Sequence, residues 1–394
     1  MCLNYYTSII NSVHQVSKDS WNNCAKFKNN TDSILSGNPF LSYEFFSSLE
    51  DSGSISTKAG WLIQHILLHK ANSTVIAIMP NFVKNHSWGE YVFDQAFAEA
   101  WEKTGQQYYP KLLSAVPFTP ISGPRFLISA EIDEQIAIPI MLKALQELVK
   151  ELKVSSSHIN FINSKQKNIV LKNSNWLKRV GLQFHWENNS YENFEHFLSF
   201  LSSSKRKAIR RERREVLKSS LKIKMLTGDQ LNLKHIETFY QFYLNTINKR
   251  WGGAYLTKSF WCLLIERLSK RILLIVAEEN NEVIAGAINL FDDIAIYGRN
   301  WGSSKDIKFL HFEACYYQAI EFAISSKLKT VEAGAQGTHK IQRGYLPKET
   351  YSTHYFANSS FHEAVSNYLE MEIKQVSQQM SSLQNLSPYK KLDL

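Results

Sequence analysis

The densest group of chemically versatile side chains in this sequence lies between residues 331 and 347. Four of its side chains are ionisable within twelve residues: Glu332, His339, Lys340 and Arg343. Carboxylates and imidazoles take part in general acid–base catalysis, and lysine and arginine bind phosphate. Gln336 lies between Gly334 and Gly337, which permit a tight turn and a close backbone approach. The pattern indicates a binding or catalytic loop, although a solvated polar loop after a strand has a similar composition.

A second polar group lies at residues 297–304 and includes Trp301. Arg299 and Gly302 nearly match the R/Q-x-x-G-x-G/A loop that holds the pyrophosphate of coenzyme A in acetyltransferases, but Ser304 stands at the last position. So short a pattern also occurs by chance, and alone it is weak evidence for a nucleotide-linked ligand.

Three loops in the first half interleave aromatic residues with single charges and prolines, at 84–94, 108–111 and 116–125. Such rigid, partly buried loops suit either the frame of a pocket or an interface between lobes. His86 by itself is more typical of a structural loop histidine than of a catalytic one.

Hydrophobic periodicity predicts the elements that position these groups. The second half contains three apolar strands, at 271–279, 282–291 and 294–299, separated by Asn-Asn and Asp-Asp turns. This order is typical of an antiparallel meander. A helix over 309–326 and a strand over 329–333 follow, with apolar helix residues at i, i+3 and i+4. His311 and Glu313 fall in the first turn of that helix, where they either serve a site or cap and charge the helix.

The first half predicts a hairpin at 61–69 and 74–83 and a helix at 134–152 that Pro139 interrupts or kinks. Strands and helices in this order predict an α/β protein with mixed sheets. We expect two lobes, residues 1–185 and 186–394. The two lobes should be structurally related and packed face to face, each with its own sheet, because each presents a β-hairpin followed by a helix and a polar loop. One sheet continuous through both would contradict this expectation.

Residues 191–218 are predicted to form one long helix that joins the lobes. Its section 205–218 contains eight basic and two acidic residues, a net +6 of the chain's formal charge of +9. Such an element attracts phosphate, whether in RNA, an acidic lipid headgroup, a nucleotide-linked precursor or coenzyme A.

Composition bounds the class of protein. With 394 residues, 44% hydrophobic and 21% charged, the chain is not disordered or of low complexity. It has no apolar stretch of about 18 residues, and residues 1–6 lack the basic lead and long apolar core of a secretion signal, so we expect a protein that is neither membrane-spanning nor exported. Its four cysteines are far apart, and no metal-binding motif is present. We therefore expect a cytoplasmic protein without a metal.

Seven segments taken in order resemble the FemAB-like predicted N-acyltransferases, described as peptidoglycan biosynthesis or recognition proteins within the GNAT superfamily. These segments are 38–40, 86–94, 108–111, 117–120, 123–125, 311–318 and 334–344. The resemblance covers about residues 38 to 356. It implies two tandem GNAT-like lobes and direct transfer of an acyl or aminoacyl group to an amine, without a covalent enzyme intermediate.

The resemblance also implies site residues. The implied substrate-binding residues are His86, Glu90, Tyr109, Lys111 and Arg125 in the first lobe and Trp301, His311, Glu313 and Gln336 in the second. Glu332, or His339 through a water molecule, is the implied catalytic base. The candidate ligands of phosphates on the donor or the acceptor are Arg299, Lys340 and Arg343.

Tyr316 and Tyr317 are candidate proton donors, and Glu332 and His339 are expected to line one cleft between the lobes. The family loop usually reads GAQGEHK, and this chain has Thr338 in place of the acid.

Donor and partner stay open at this point. Acyl-CoA and aminoacyl-tRNA both carry phosphate, and either would be a donor substrate rather than a tightly bound cofactor. The acceptor is an amine on a small molecule or an envelope precursor, with tRNA contact through residues 205–218 and peripheral membrane contact as further options. A different class of function is a non-catalytic module that binds an envelope precursor, tRNA or a membrane surface.

Overall fold

The computed structural model describes residues 5–28, 36–173, 175–218, 220–248, 253–335 and 337–390. Its strands are β1 Tyr5–Ile10, β2 Trp61–Ile63, β3 His65–Lys70, β4 Val75–Met79, β5 Phe82–Lys84, β6 Lys111–Ser114, β7 Leu127–Ile128, β8 Ser156–Asn160, β9 Leu177–Glu187, β10 Lys222–Leu226, β11 Ile272–Glu279, β12 Glu282–Phe291, β13 Ala295–Ser303, β14 Thr330–Glu332 and β15 Leu346–Phe356.

The α-helices are α1 Lys18–Ala25, α2 Tyr43–Asp51, α3 Gln95–Glu102, α4 Glu134–Glu151, α5 Ser164–Asn173, α6 Phe194–Ser199, α7 Ser203–Lys218, α8 Leu233–Asn248, α9 Lys258–Leu268, α10 Leu310–Phe312, α11 Gln318–Ser325 and α12 Ser359–Gln384. Between α10 and α11 the chain forms one π-helical turn, Glu313–Tyr317. A 3₁₀-helix spans Thr338–Arg343. None of the described helices is both long and apolar enough to cross a bilayer.

The chain divides into two compact units. The first comprises Met1–Lys28, Phe40–Gly181 and Glu349–Gln378, and the second comprises Asn29–Pro39, Leu182–Lys348 and Gln379–Leu394. The sequence placed the boundary after residue 185 and assigned everything beyond it to one lobe. The structure instead places residues 349–378 in the first unit.

Two sheets organise the strands. The smaller has the order β1-β3-β4-β7 and the larger the order β10-β11-β12-β13-β14-β9-β15-β8-β6-β5-β2. The larger order is continuous because β9 and β15 each begin in one unit and end in the other. The predicted α/β class with mixed sheets is confirmed, and the expectation of a separate sheet in each lobe is wrong.

The core of the first unit forms around α4. Apolar residues at helical spacing on α4, among them Ile138, Met141 and Leu145, are buried against residues of β3 and β4. Asp133 caps the helix by accepting a hydrogen bond from the backbone N–H of Gln135. The helix runs through Pro139 without interruption.

The second unit contains the predicted meander. Strands β10 to β13 pair antiparallel in sequence order, with a register shift between Ile288 and Asn289 of β12. β14 then pairs parallel to β13 and antiparallel to β9. Residues 310–325 are helical, close to the predicted 309–326, and a π turn lies inside them.

The single basic helix predicted over 191–218 is wrong. α6 ends at Ser199 and α7 begins at Ser203, and both lie in the second unit. The backbone between the two helices forms hydrogen bonds with residues near the C-terminal end of the described chain instead of helical ones. Leu201 forms a β-bridge with Tyr389, and the Ser202 N–H donates to the Pro388 carbonyl at 2.8 Å. The chain passes from the first unit to the second within β9.

Gly302 lies inside β13, where a Cβ atom would sit 2.2 Å from the carbonyl oxygen of Phe242 on α8. We expect Gly302→Ala to destabilise the protein by roughly 1–3 kcal/mol, because a helix backbone must move to admit the methyl group. Chemical denaturation measures this. A matched control is Gly253→Ala, where nothing lies within 4 Å of the new Cβ atom. Equal stability of the two variants would contradict this packing role.

Candidate functional site

The Glu332 carboxylate lies at the end of a strand held on both sides. In the register of β14, Glu332 stands opposite Tyr297 of β13 and His185 of β9. Val331 is buried in the core, so alternation along the strand turns Glu332 to the opposite face. The His185 Nε2 atom lies 3.9 Å from Glu332 Oε2, and burial lowers the pKa of His185 to about 4. Glu332 therefore faces a neutral imidazole near pH 7.

The loop after β14 folds back onto the strand end. Gly334 and Gly337 both adopt positive φ, at 73° and 96°, which L-residues with side chains rarely adopt. The ammonium of Lys340 donates to the carbonyl of Ala333, and lies 3.4 Å from that of Gly334. Burial lowers the pKa of Lys340 to about 8. This lysine thus binds the loop's own backbone.

His339 is the exposed imidazole of this loop. Its Nε2 atom lies 3.0 Å from the hydroxyl of Tyr316, which the π turn supplies. A Cβ atom at Gly337 would lie 2.3 Å from the His339 ring, so the glycine gives the ring its space. Burial lowers the pKa of His339, and the charges of Arg343 and Lys340 lower it further. The imidazole is therefore neutral at physiological pH and able to accept a proton.

Aromatic rings surround His339. The centroid distances from its ring are 5.6 Å to Phe312 and 6.4 Å to His311, and His311 lies 5.5 Å from Trp301. Two of the predicted substrate-binding residues, Trp301 and His311, thus belong to the ring cluster beside His339. We call His339, Tyr316, His311, Phe312 and Trp301 the His339 site.

The ion pair between Arg343 and Glu212 holds the His339 site in place. Nη2 of Arg343 lies 2.8 and 2.9 Å from the two carboxylate oxygens of Glu212, and both residues are buried. Nη1 of Arg343 donates to the His339 carbonyl at 2.8 Å, and the guanidinium lies 3.4 Å from the ring centroid of Phe312. Tyr317 donates its hydroxyl to the same Glu212 carboxylate. Arg343 is thereby engaged within the protein.

Glu313 is also held inside the second unit. It is 4% exposed and accepts hydrogen bonds from Arg213 of α7 at 2.9 Å and from Gln318 at 2.7 Å. Arg213 bonds Glu321 as well, at 2.7 Å. α7 thus contacts both the 3₁₀-helix, through Glu212, and the π turn, through Arg213.

The partial coenzyme A motif lies within a strand. Arg299 and Gly302 belong to β13, and Arg299 is partly buried. The backbone of Gly302 packs on Phe242, so the glycine serves packing at this position. Thr338 is exposed at the start of the 3₁₀-helix, and Gln336 lies outside the described residues.

The first unit brings three predicted residues, Glu90, Tyr109 and Lys111, together in one buried cluster. Lys111 is fully buried, and its ammonium bonds Glu90 at 2.8 Å, Ser87 at 2.7 Å and Asp94. Ser87 in turn bonds the Tyr109 hydroxyl at 2.9 Å. We call these five residues the Lys111 cluster.

His86 borders the Lys111 cluster through Lys84, whose ammonium lies 3.4 Å from His86 Nδ1. Arg125 instead donates to backbone carbonyls, those of Asn160 at 2.7 Å, Pro124 at 3.0 Å and Ile121 at 2.5 Å.

The two carboxylates that share Lys111 differ in acidity. Burial raises the pKa of Glu90 to about 7, since the attraction of Lys111 offsets only part of the desolvation. Burial also acts on Asp94, but the charge and hydrogen bond of Lys111 outweigh it and lower its pKa to about 2. Asp94 therefore carries the negative charge near pH 7, whereas Glu90 is poised to exchange a proton.

Comparison with known proteins identifies the family of this chain. A FemAB-like family model, described as peptidoglycan biosynthesis/recognition, matches residues 12–391. The chain belongs to the FemAB-like family. The predicted family resemblance is thus confirmed. No curated protein matches the chain.

Solved structures share the fold at low identity. FemX is 11% identical, with 89% of this chain and 98% of that chain covered and a TM-score of 0.53. A protein of unknown function from Bacteroides thetaiotaomicron is 9% identical, with coverages of 89% and 99% and a TM-score of 0.51. A tandem GNAT protein from the clavulanic acid biosynthesis pathway also matches, at 6% identity, coverages of 90% and 99% and a TM-score of 0.46. At such identities the likeness to FemX and to the Bacteroides protein shows the fold alone.

Several polar residues of this FemAB-like chain escaped sequence reasoning. Tyr108 donates to Asp94 at 2.8 Å and lies 3.1 Å from His158, whose Nδ1 atom is 2.6 Å from that of His354. His158 and His354 are 196 positions apart, so no local pattern joins them. From the sequence alone, Glu212 is only one of the two acidic residues of the basic segment 205–218. Its spacing from the apolar residues 209 and 216 nevertheless indicates that it lies on the buried face of the helix.

Removal of the Glu212 charge is expected to destabilise this FemAB-like protein strongly. Glu212→Gln leaves the Arg343 guanidinium buried without its counterion, which we expect to lower the free energy of unfolding by roughly 3 kcal/mol. Glu195→Gln is the matched control, since Glu195 pairs with Arg210 in solvent and its loss should lower the free energy of unfolding far less. Equal losses in denaturant titrations would show that the Glu212 pair is not a special constraint.

Lys84 should make stability depend on pH. It is fully buried beside Trp61, and burial lowers its pKa to about 7. Between about pH 7 and 10 the unfolded chain, with an ordinary lysine pKa, holds more protons than the folded one, so stability rises with pH. We expect Lys84→Met to remove roughly 3 kcal/mol of that rise, and Lys103→Met, at an exposed position, to keep it. Denaturation at both pH values tests this, and parallel profiles for all three proteins would refute it.

Proposed function

We propose that this FemAB-like chain transfers an acyl or aminoacyl group to an amine, with an amine of a cell-envelope precursor as the acceptor. The observation that carries the proposal is the contact between the Tyr316 hydroxyl and Nε2 of a neutral, exposed His339. Membership of a family described as peptidoglycan biosynthesis/recognition supports the envelope acceptor.

N-acylation requires three proton and charge movements. The attacking amine must lose a proton, the carbonyl oxygen gains negative charge, and the leaving thiolate or ribose oxygen must recover a proton. A neutral imidazole next to a protonated phenol can perform the first and the last of these. Burial raises the pKa of Tyr316, so its hydroxyl stays protonated and able to donate.

The proton path can be written on named atoms. Nδ1 of His339 accepts the amine proton while Nε2–H donates to the Tyr316 oxygen. Tyr316 passes its own proton to the leaving group and takes the Nε2 proton in return. His339 ends neutral with the proton on Nδ1, and the acyl group has moved from the leaving atom to the amine nitrogen. No covalent enzyme intermediate is needed.

Tyr317 and Glu332 have different places in this scheme. Tyr317 is fully buried and donates to Glu212, so it acts as a positioning residue and Tyr316 is the donor. Glu332 is the second candidate base, because its carboxylate stands at the end of β14 and faces neutral His185. The shared cleft predicted for Glu332 and His339 stays a prediction.

The donor is an acyl-CoA or an aminoacyl-tRNA. Each presents an activated carbonyl and phosphates. Lys340 and Arg343 are already bonded within the loop, so their proposed role toward phosphate requires these bonds to open. Arg299, partly buried on β13, is the third proposed phosphate ligand.

His339→Ala and Tyr316→Phe are each expected to lower kcat by roughly 10²–10⁴, the usual contribution of a general acid or base. Glu332→Gln should lower it similarly if the carboxylate is the base, and much less if His339 is. The measurement is turnover with acetyl-CoA and with aminoacyl-tRNA on a peptidoglycan-precursor amine. His196→Ala, on α6, controls for loss of an unrelated histidine and should keep full activity.

A non-catalytic precursor-binding module is the second candidate, favoured by Thr338 in place of the family acid and by the strand position of Gly302. It would show precursor binding in native mass spectrometry with no turnover from either donor. Full activity in both His339→Ala and Tyr316→Phe would refute the proton path proposed above.

A further inference from the structure

The outer face of α7 carries cations that the fold does not use. The inner face buries Ile209, Glu212 and Val216, at 2%, 8% and 1% exposure. On the outer face Lys207, Arg211 and Arg214 are exposed, and none of them forms an ion pair with a carboxylate in the described part of the chain. We call these three residues the outer stripe.

Helix geometry makes the outer stripe one continuous surface. The positions are spaced i, i+4 and i+7, and at 100° per residue they lie within an arc of about 60°. Lys218 falls on the same line, one turn further, where it pairs with exposed Glu215 at 3.2 Å. With a rise of 1.5 Å per residue, the line of cations is about 17 Å long.

The outer stripe weakens the helix that carries it. Like charges at i and i+4 repel each other, and α7 has no acidic residue in its first turn, where the helix dipole favours one. The two acidic residues of α7 give no relief, because Glu212 is bonded to Arg343 and Glu215 to Lys218. An uncompensated stripe of this kind is what an anionic partner would neutralise.

We propose that the outer stripe docks the protein on an anionic lipid bilayer. Leu217 distinguishes this partner from a nucleic acid: it is 69% exposed, lies one turn from Arg214 and is adjacent to Lys218. A bilayer accepts cations at its headgroups and a leucine side chain below them, as amphipathic surface helices show. The sugar–phosphate backbone of a nucleic acid provides no apolar surface on which an exposed leucine could be buried. In addition, α7 contains no aromatic residue on which bases could stack.

This docking surface is independent of the proposed transferase chemistry. The outer stripe shares α7 with Glu212 and Arg213, but it lies on the opposite face from both. Its substitution should therefore leave the fold and any turnover on a soluble acceptor unchanged. Loss of membrane binding and loss of catalysis are thus separately measurable.

The test is co-sedimentation of the full chain with vesicles of phosphatidylcholine, with and without phosphatidylglycerol. We expect binding only to the anionic vesicles, and a steep decrease with added salt. The triple variant K207Q/R211Q/R214Q should weaken binding roughly 100-fold, at about a fivefold loss per cation. The matched control is K143Q/K150Q/K153Q, which removes three exposed lysines of the first unit and should bind as the parent does.

Leu217→Ser separates insertion from charge attraction. It should weaken binding roughly tenfold and keep the salt dependence, because the cations remain. Circular dichroism and turnover on the soluble acceptor check that both variants fold.

Three outcomes would overturn the proposal: equal binding to neutral and anionic vesicles, unchanged binding of the triple variant, and binding of transfer RNA through the same three residues without any binding to vesicles.

Discussion

The buried ion pair between Glu212 and Arg343 is the contact on which the second unit's polar loop depends. A charge removed from water is tolerated only when it is paired and its remaining hydrogen-bonding groups are satisfied. Glu212 bonds Arg343 and Tyr317, and Arg343 bonds Glu212 and the His339 carbonyl. These bonds hold the loop that carries His339 against the π turn that carries Tyr316. The contact between the imidazole and the phenol therefore depends on the buried Glu212–Arg343 pair.

The first unit applies the same rule to a different loop. Glu90 and Asp94 turn inward to Lys111, while Trp88, Tyr91 and Phe93 of the same loop are 60%, 44% and 66% exposed. Alternation in this loop is thus the reverse of that in an ordinary surface segment, where apolar residues turn inward. The buried ion pairs determine which way the loop faces, and the aromatic exposure is their consequence.

The sequence predicts correctly those elements and side-chain positions that hydrophobic periodicity and local turn residues determine. The three strands of the meander follow from apolar runs separated by Asn and Asp turns, and the position of Glu332 follows from its alternation with buried Val331. Sequence-based prediction was wrong where residues far apart in the chain determine the structure. The break between α6 and α7 depends on Tyr389 and Pro388, and the His158–His354 contact joins two strands far apart in the chain. A continuous helical pattern across 191–218 carries no trace of those partners.

The basic run shows why a charge count alone misleads. Averaged over 205–218, eight cations and two anions suggest one electrostatic element. The fold assigns them to two tasks, because a helix presents opposite faces to the core and to solvent. Arg213 turns to buried Glu313, and the negative charge of Glu212 is consumed by Arg343. Because these inner charges are paired, the electric field outside α7 arises from its exposed cations. Glu212 does not reduce that field; it binds Arg343 and so supports the His339 site on the inner face of the helix.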